Sequence, residues 1–152
     1  MTDIPGWTDT LPYALFRANQ SVQRLLAEAV SDLGATITQL GIAVHLDALG
    51  AMSGSELARR LRVTPQSAST ALGQLEALGW VRREPHPQHG RVILYLITPT
   101  GHEGAASARQ RLASVQTELR GLLGHEQMAR ATEVLAALAN RVDAGAINPA
   151  RR

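Results

Sequence analysis

The chain contains no cysteine and no lysine, and only 3% of its 152 residues are aromatic. The absence of cysteine excludes disulfide bonds, thiol redox sensing and thiolate metal ligands. No apolar run reaches the ~18 residues that a membrane span needs, and the N-terminus lacks the basic and apolar regions of a secretory signal. We therefore expect a cytoplasmic protein with no membrane partner. Because aromatic side chains are scarce, the core must consist mostly of Leu, Ala and Val, and a mainly helical fold is expected.

The charged residues are unevenly distributed, although the net charge is only +2. Residues 54–91 carry six arginines and three glutamates, a balance of +3, whereas the other nine arginines face ten acidic residues, a balance of −1. A local positive surface on a nearly neutral body is typical of a module that contacts phosphates with one face. On charge alone, chance clustering on a solvated surface is an equal alternative.

Four long segments have apolar residues at every third or fourth position, which predicts amphipathic helices. The first covers residues 10–33, and the second begins at Thr36 or Thr38 and stops at Gly50. The last two cover about 99–123 and 125–143. The first and the last two present more apolar surface than one chain can cover, so we expect a homodimer.

The centre of the chain predicts two short helices followed by a β-hairpin. Ser53 and Glu56 have the spacing of a capping box, and they open a helix of about two turns. Thr64-Pro65 supplies a capping hydroxyl and a proline at the first position of a second helix. The predicted boundaries are about Leu78 with Gly79 as cap for the second helix, and 80–84 and 91–97 for strands around the turn 85–90.

This order of elements predicts a winged helix-turn-helix that binds DNA. In a helix-turn-helix, the second helix enters the major groove and the first crosses the DNA backbone. The outer face of the second helix carries neutral polar side chains, where a solvated face normally carries charged ones, and such groups can bond to bases and phosphates. The candidate DNA contacts on this helix are Thr64, Gln66, Ser67, Ser69, Thr70 and Gln74.

Further candidate DNA contacts lie in the turn and the hairpin. Arg62 in the turn can neutralise a phosphate, and an arginine on a wing can enter the narrow minor groove. A histidine at the wing would strengthen the attraction to phosphate when it is protonated at mildly acidic pH. The candidates in these two segments are Arg62, Arg82, Arg83, His89 and Arg91.

The stretch 53–101 resembles the MarR family of bacterial regulators. The resemblance is carried by the capped helix, the Leu57-Ala58 pair, the polar recognition helix, the turn LEALGWV, the arginine-bearing wing and the closing LITPTG, and it extends over about 10–143. It implies a mainly α fold, with a winged helix-turn-helix whose wing is a short β-hairpin, and with N- and C-terminal dimerisation helices.

The resemblance also implies how the chain is divided and what it does. One MarR-like domain would cover 1–152, with the DNA-binding part at about 36–98 and the dimerisation helices at about 10–33 and 99–143. The family implies a homodimer on a pseudo-palindromic operator, acting as a transcriptional repressor, and a crevice where many members bind a small, often phenolic, ligand that releases DNA.

Two positions depart from the family pattern. The wing of the family has an aspartate followed by two arginines, where this chain has His89, Gly90 and Arg91. The family's threonine–glutamine pattern at the start of the second helix is not distinct between Thr36 and Ile42. We therefore expect the wing to differ from that of the family more than the helix-turn-helix does.

Other functions find less support in the sequence. Its histidines, including His86 and His102, have no cysteine or carboxylate cluster around them, so we expect no metal site. No nucleophile–base pair, phosphate-binding loop or paired carboxylates appear, and we expect neither an enzyme nor a cofactor. The main alternative is a winged helix that contacts only proteins, but such a module would not need Arg62, Arg83 and Arg91 on one side.

A small aromatic effector is a further candidate partner. Tyr13 and Arg17 lie on the first helix and His45 on the second, and an arginine beside aromatic rings can hold an aromatic carboxylate. Packing at a dimer interface is the alternative explanation for the same three residues.

Overall fold

Six α-helices, one 3-10 turn and three short strands make up residues 6–146, the part of the chain that the computed structural model describes. They are α1 (Leu11–Ala29), the 3-10 turn (Ser31–Leu33), α2 (Ile37–Leu49), β1 (Met52–Ser53), α3 (Gly54–Leu61), α4 (Pro65–Ala77), β2 (Val81–Pro85), β3 (Ile93–Ile97), α5 (Pro99–Leu123) and α6 (His125–Asp143). The mainly α fold with a β-hairpin is confirmed. None of the helices in this range has an apolar stretch long enough to cross a bilayer.

The first helix is shorter than the sequence predicts. The expected helix over 10–33 ends at Ala29, and the chain continues as a 3-10 turn up to Gly34, which has a φ of 67°. The chain turns here because Val30 is buried against Leu40 and Ala108.

The second helix begins with a capping box. The Thr36 hydroxyl accepts a hydrogen bond from the Gln39 backbone N–H at 3.3 Å, and the Gln39 side-chain oxygen accepts one from the Thr36 N–H at 2.7 Å. The expectation that this chain has no distinct threonine–glutamine pattern at this place was therefore wrong. At the start of α3, by contrast, the Ser53 hydroxyl caps the Glu56 N–H, while the Glu56 carboxylate accepts from Arg60.

Helix α4 begins and ends at the signals read from the sequence. The Thr64 hydroxyl accepts from the Ser67 N–H at 3.1 Å, and Pro65 follows as the first helical residue. At the other end the Trp80 N–H bonds to the Leu75 oxygen and the Gly79 N–H to the Glu76 oxygen, the Schellman pattern, which requires the positive φ of 73° at Gly79. Leu78, the predicted end of the helix, is its C-cap and is exposed.

The three strands form one antiparallel sheet in the order β1-β3-β2. Val81 pairs with Ile97 and Pro85 with Ile93 across the hairpin, and Met52 of β1 pairs with Tyr95. Strand β1 was not predicted because two residues are too short to show a period. Strand β3 begins two positions later than predicted, because the Val92 N–H bonds to the His89 oxygen in the hairpin turn.

The main core lies between α2, α3, α4 and the sheet. Its buried members are Ile42, Leu46, Met52, Leu57, Ala71, Leu72, Leu75 and Val81. Ala58 of α3 and Ala68 of α4 are buried as well, so small side chains allow α3 and α4 to pack closely. This core fixes the position of α4 relative to the hairpin.

The start of α5 packs against the end of α4 and the hairpin. The Thr98 hydroxyl donates to the Gly79 oxygen at 2.6 Å, and a Cβ on Gly104 would lie only 2.4 Å from the Trp80 ring. Farther along, Asp47 of α2 accepts hydrogen bonds from His102 and Arg109 of α5. The hydrogen bond from His102, and to a lesser extent the one from Arg109, lowers the pKa of Asp47 below its usual value of 3.8. The charged Asp47 carboxylate therefore links α2 to α5.

The chain divides into two compact units, Met1–Ala113 and Ser114–Arg152. Neither α1, in the first unit, nor α6, in the second, has a buried residue. Phe16 of α1 is 57% exposed and Leu135 of α6 is 47% exposed. Leu122 of α5 is 79% exposed. These apolar side chains are therefore exposed in the part of the chain that the structure describes.

Candidate nucleic-acid interface

Helix α4 divides into a buried apolar face and an exposed neutral face. Ala68, Leu72 and Leu75 are almost fully buried. Of the six polar residues predicted to contact DNA here, Thr64 is the N-cap and the five within the helix are all exposed: Gln66, Ser67, Ser69, Thr70 and Gln74. The structure thus brings these predicted residues together on one side of one rigid helix.

The turn before α4 is held by backbone geometry at Arg62. Arg62 has a φ of 54°, the only positive value of a non-glycine residue within 6–146. The Val63 N–H returns to the Ala58 oxygen at 3.1 Å, which closes α3 and reverses the chain. Arg62 and Thr64 are both exposed beside the start of α4.

Thr64 and Ser67 form a reciprocal pair at the first turn of α4. Besides capping the helix, the Thr64 hydroxyl donates to the Ser67 hydroxyl oxygen at 2.8 Å. Because the hydroxyl hydrogen of Thr64 is already bonded to Ser67, the main role of Thr64 is to stabilise the start of α4. The hydrogen of the Ser67 hydroxyl is left to donate outward.

Gln74 makes a tertiary contact that the sequence did not reveal. The side-chain nitrogen of Gln39, in α2, donates to the side-chain oxygen of Gln74. The Thr36–Gln39 spacing was a signal for the cap on α2, but no local pattern could indicate a bond between residues 35 positions apart.

Two of the three wing arginines are paired within the chain. Arg82 pairs with Glu84 on the same strand, and the Arg83 Nε lies 2.8 Å from a carboxylate oxygen of Glu76 in α4. The Arg83–Glu76 pair ties the hairpin to the end of α4. Sequence reasoning missed Glu76 in this role, because the two residues meet only after the chain reverses at Gly79.

Arg91 lies beside α4. It borders a groove of about 530 Å³ that is also lined by Pro65 and Ser69 of α4 and by Ser55 of α3. Arg91 is exposed and belongs to no ion pair formed among residues 6–146. It is the wing arginine best placed to act together with α4.

The hairpin turn is organised by His86. Its Nδ1 accepts hydrogen bonds from the backbone N–H groups of Gln88 at 3.1 Å and His89 at 3.2 Å. The rings of His86 and His89 lie 5.0 Å apart. His89, the predicted DNA contact, is exposed at this turn.

Among the described residues, no three histidine or acidic side chains are grouped as metal ligands would be.

The predicted effector residues are only partly brought together. Tyr13 and Arg17 line a shallow groove of about 330 Å³ on α1, and the Trp7 ring packs edge-on against Tyr13 with the centroids 6.0 Å apart. His45 does not line this groove. Its Nδ1 lies 2.8 Å from the Gly41 oxygen in its own helix.

Comparison with known proteins relates the chain to bacterial regulators. The family model described as "MarR family" matches residues 33–92. An HTH-type transcriptional repressor of Mycobacterium bovis is 32% identical over 105 residues, which are 68% of this chain and 76% of the relative. The multiple antibiotic resistance protein MarR of Salmonella typhimurium is 30% identical over 97 residues, 64% of this chain and 67% of the relative.

Solved structures resemble the chain over most of its length. The transcriptional repressor CouR, bound to a 23-mer DNA duplex, has a TM-score of 0.84 and 25% identity, covering 91% of this chain and 99% of CouR. A mutant MarR from E. coli complexed with operator DNA has a TM-score of 0.81 and 25% identity, covering 90% of this chain and 99% of that one.

Proposed function

The chain belongs to the MarR family of transcriptional regulators, and on this premise we propose that it is a homodimeric repressor that binds double-stranded DNA at specific sequences. It acts in the cytoplasm and has no catalytic activity. Its solved neighbours include a repressor bound to a DNA duplex and a MarR complexed with operator DNA.

The observation that carries the proposal is the exposed neutral face of α4. Gln66, Thr70 and Gln74 follow one another at intervals of four along this face, and all three are exposed. Because residues four apart are neighbours on a helix, they form a row that can follow base edges in the major groove. Ser67 and Ser69 flank the row and supply hydroxyl groups for bases or phosphates.

Affinity comes from the arginines beside this face. Arg62 in the turn and Arg91 on the hairpin approach phosphates, and Arg82 and Arg83 join them where DNA displaces or shares their carboxylate partners. Each neutralised phosphate makes the fall of affinity with salt steeper by about 0.9 of a log unit per log unit of salt. Thr64 supports the first turn of α4, and His89, exposed at the hairpin turn, is a further candidate contact.

The dimer is proposed from the uncovered helices. The domain is a single MarR-like unit over 1–152, in which about 36–98 contact DNA and about 10–33 and 99–143 join the two protomers. The exposed apolar side chains of α1 and α6 support this division, since a face such as that around Leu135 needs a partner. A two-fold dimer would bind half-sites about one helical turn apart.

A small aromatic acid is the proposed effector. Tyr13 and Arg17 share one groove, and a guanidinium beside a phenol can hold a carboxylate. His45 is included as a candidate only on the sequence argument. Salicylate is the probe: it should raise the thermal stability of the wild type and weaken DNA binding, and Arg17→Ala should remove both effects.

Selection of bound duplexes from a random pool tests the main proposal. The expected result is a two-fold symmetric sequence, bound more tightly than unrelated DNA, with an affinity that falls as salt rises. A winged helix that contacts only proteins would enrich no sequence. Replacing Gln66 and Arg91 together should abolish the selection without unfolding the protein, since both side chains are exposed.

A further inference from the structure

A buried side chain of α2 contacts a side chain on the exposed face of α4. Gln39 is only 5% exposed, and its amide contacts that of Gln74. We propose that Gln39 fixes the orientation of the Gln74 amide, so that Gln74 presents its nitrogen, and not its oxygen, to a DNA base. This inference rests on the proposed DNA binding and adds which base this side chain selects.

The orientation follows from one atom whose role is unambiguous. The Thr36 backbone nitrogen can only donate, and it lies 2.7 Å from the side chain of Gln39, so the Gln39 atom that it contacts must be the oxygen. The other end of the Gln39 amide is then an NH₂ group, which only donates. The Gln74 atom in contact with this NH₂ group must accept, and it is therefore the oxygen.

Gln39 itself is held firmly in this orientation. Its backbone N–H bonds to the Thr36 hydroxyl, so both ends of the capping box are made. Turning its amide over would set its NH₂ group against the Thr36 N–H and its oxygen against the Gln74 oxygen. Both contacts would then be repulsive in a buried place, where an unsatisfied polar group is costly.

Gln74 is consequently a donor toward solvent. Its oxygen is turned toward α2, its nitrogen lies on the opposite side of the amide, and that nitrogen has no hydrogen-bond partner among residues 6–146. The residue as a whole is exposed beside Gln66 and Thr70. The Gln74 side chain therefore presents the hydrogens of its NH₂ group to the proposed DNA surface.

A donor selects a different base from an unrestrained glutamine. A free glutamine pairs with adenine in a bidentate manner, by accepting from N6 and donating to N7. Because the Gln74 oxygen is bonded to Gln39 and turned toward α2, Gln74 presents its NH₂ group, a donor, to the DNA. Guanine presents two acceptors in the major groove, thymine presents one beside a methyl group, adenine presents one next to a donor, and cytosine presents a donor. Gln74 should therefore select guanine at one position of each half-site.

The variant Gln39→Glu should exchange the donor and acceptor roles in the hydrogen bond between the side chains of residues 39 and 74. A glutamate has nearly the same shape and keeps the bond from the Thr36 N–H, but as a carboxylate it has no hydrogen to donate. Its second oxygen accepts from the Gln74 nitrogen, and this turns the Gln74 oxygen toward the DNA. The preferred base should change from guanine to adenine or cytosine, both of which present a donor.

The test is selection from a random duplex pool with the wild type, Gln39→Glu and Gln74→Leu, after circular dichroism has shown that each is folded. The wild type should prefer guanine on the order of tenfold at one position, Gln74→Leu should lose that preference, and Gln39→Glu should replace it. The preference at positions read by Gln66 should not change, which serves as the internal control for an intact α4.

The outcomes separate the inference from the proposed function. If the wild type enriches no sequence, DNA recognition and the inference both fail. If it enriches a sequence, and Gln39→Glu leaves the base at the Gln74-dependent position unchanged, or Gln74→Leu changes no position, then the role of Gln39 is refuted and DNA binding stands. Should Gln39→Glu not fold, Gln39→Leu frees the Gln74 amide to pair with adenine, and an unchanged guanine preference would again refute the proposal.

Discussion

Replacing Gly101 with alanine tests how closely the first turn of α5 packs on the end of α4 and the hairpin. A Cβ at this position would lie 2.1 Å from the Trp80 carbonyl oxygen and 2.7 Å from the Ile97 Cδ1. The Trp80 oxygen cannot move aside easily, because the Thr98 N–H bonds to it at 2.9 Å. Since non-bonded contacts are most favourable near ~3.5 Å, α5 and the hairpin would have to separate by roughly 1.4 Å to restore that distance.

The size of the effect follows from two opposing contributions. Overpacking costs about 1–3 kcal/mol, and a backbone obstacle places Gly101→Ala at the upper end of that range. Alanine regains up to about 1 kcal/mol through its helix propensity. The net loss should be about 2 kcal/mol in the free energy of unfolding, or a Tm lower by roughly 4–8 °C for a chain of this size.

Gly73→Ala and Gly121→Ala are the matched controls. Both glycines lie inside helices, in α4 and α5, and an added Cβ would meet no atom within 4 Å. These variants should gain up to about 1 kcal/mol. Urea unfolding followed by circular dichroism, at one protein concentration because a dimer's stability depends on it, measures all three. The packing described here would be refuted if Gly101→Ala were as stable as Gly73→Ala.

Three further outcomes are expected. Arg91→Ala should reduce the slope of log affinity against log salt by about 0.9 per protomer in fluorescence anisotropy, and an unchanged slope would mean that this side chain touches no phosphate. Asp47 has a lowered pKa, so its charge stabilises the fold at pH values above the usual pKa of a carboxyl group, and this stability is lost as the pH falls through the lowered pKa. Asp47→Asn should therefore lower the Tm at pH 7 and make the Tm fall less between pH 7 and pH 3. If the Tm of the variant fell in parallel with that of the wild type, the stabilising role of the Asp47 charge would be refuted. Leu135→Glu should give a folded monomer in sedimentation at micromolar concentration, and an intact dimer would exclude this face of α6 from the interface.

Local signals predicted most of the fold because each one acts within a few residues. Thr64-Pro65 and Gly79 give the two ends of α4 to within one residue, since a cap and a Schellman turn depend only on neighbouring backbone groups. The exposed neutral face of α4 followed from the same helix boundaries. The predicted end of the first helix was wrong, because the burial of Val30 against other helices overrides local periodicity.

Contacts between distant segments could not be read from the sequence. The Gln39–Gln74 bond and the Arg83–Glu76 pair each join two elements that meet only in the folded chain. The charge count identified the positive segment but could not show which of its arginines form ion pairs. Arg82 and Arg83 each pair with a glutamate, whereas Arg91 belongs to no ion pair among the described residues. Strand β1 is defined only by its pairing with β3.

The distribution of charge separates affinity from specificity in this molecule. All three glutamates between positions 54 and 91 lie in ion pairs with arginines of the same segment, so the excess of three positive charges belongs to arginines outside α4. The face of α4 that would meet the bases carries no charge, and its hydrogen bonds are short-ranged and little screened by salt. Raising the salt concentration should therefore weaken binding to every sequence by a similar factor and leave the order of preferred bases unchanged. A preferred sequence that changed with salt would mean that arginines, and not the polar face of α4, read the bases.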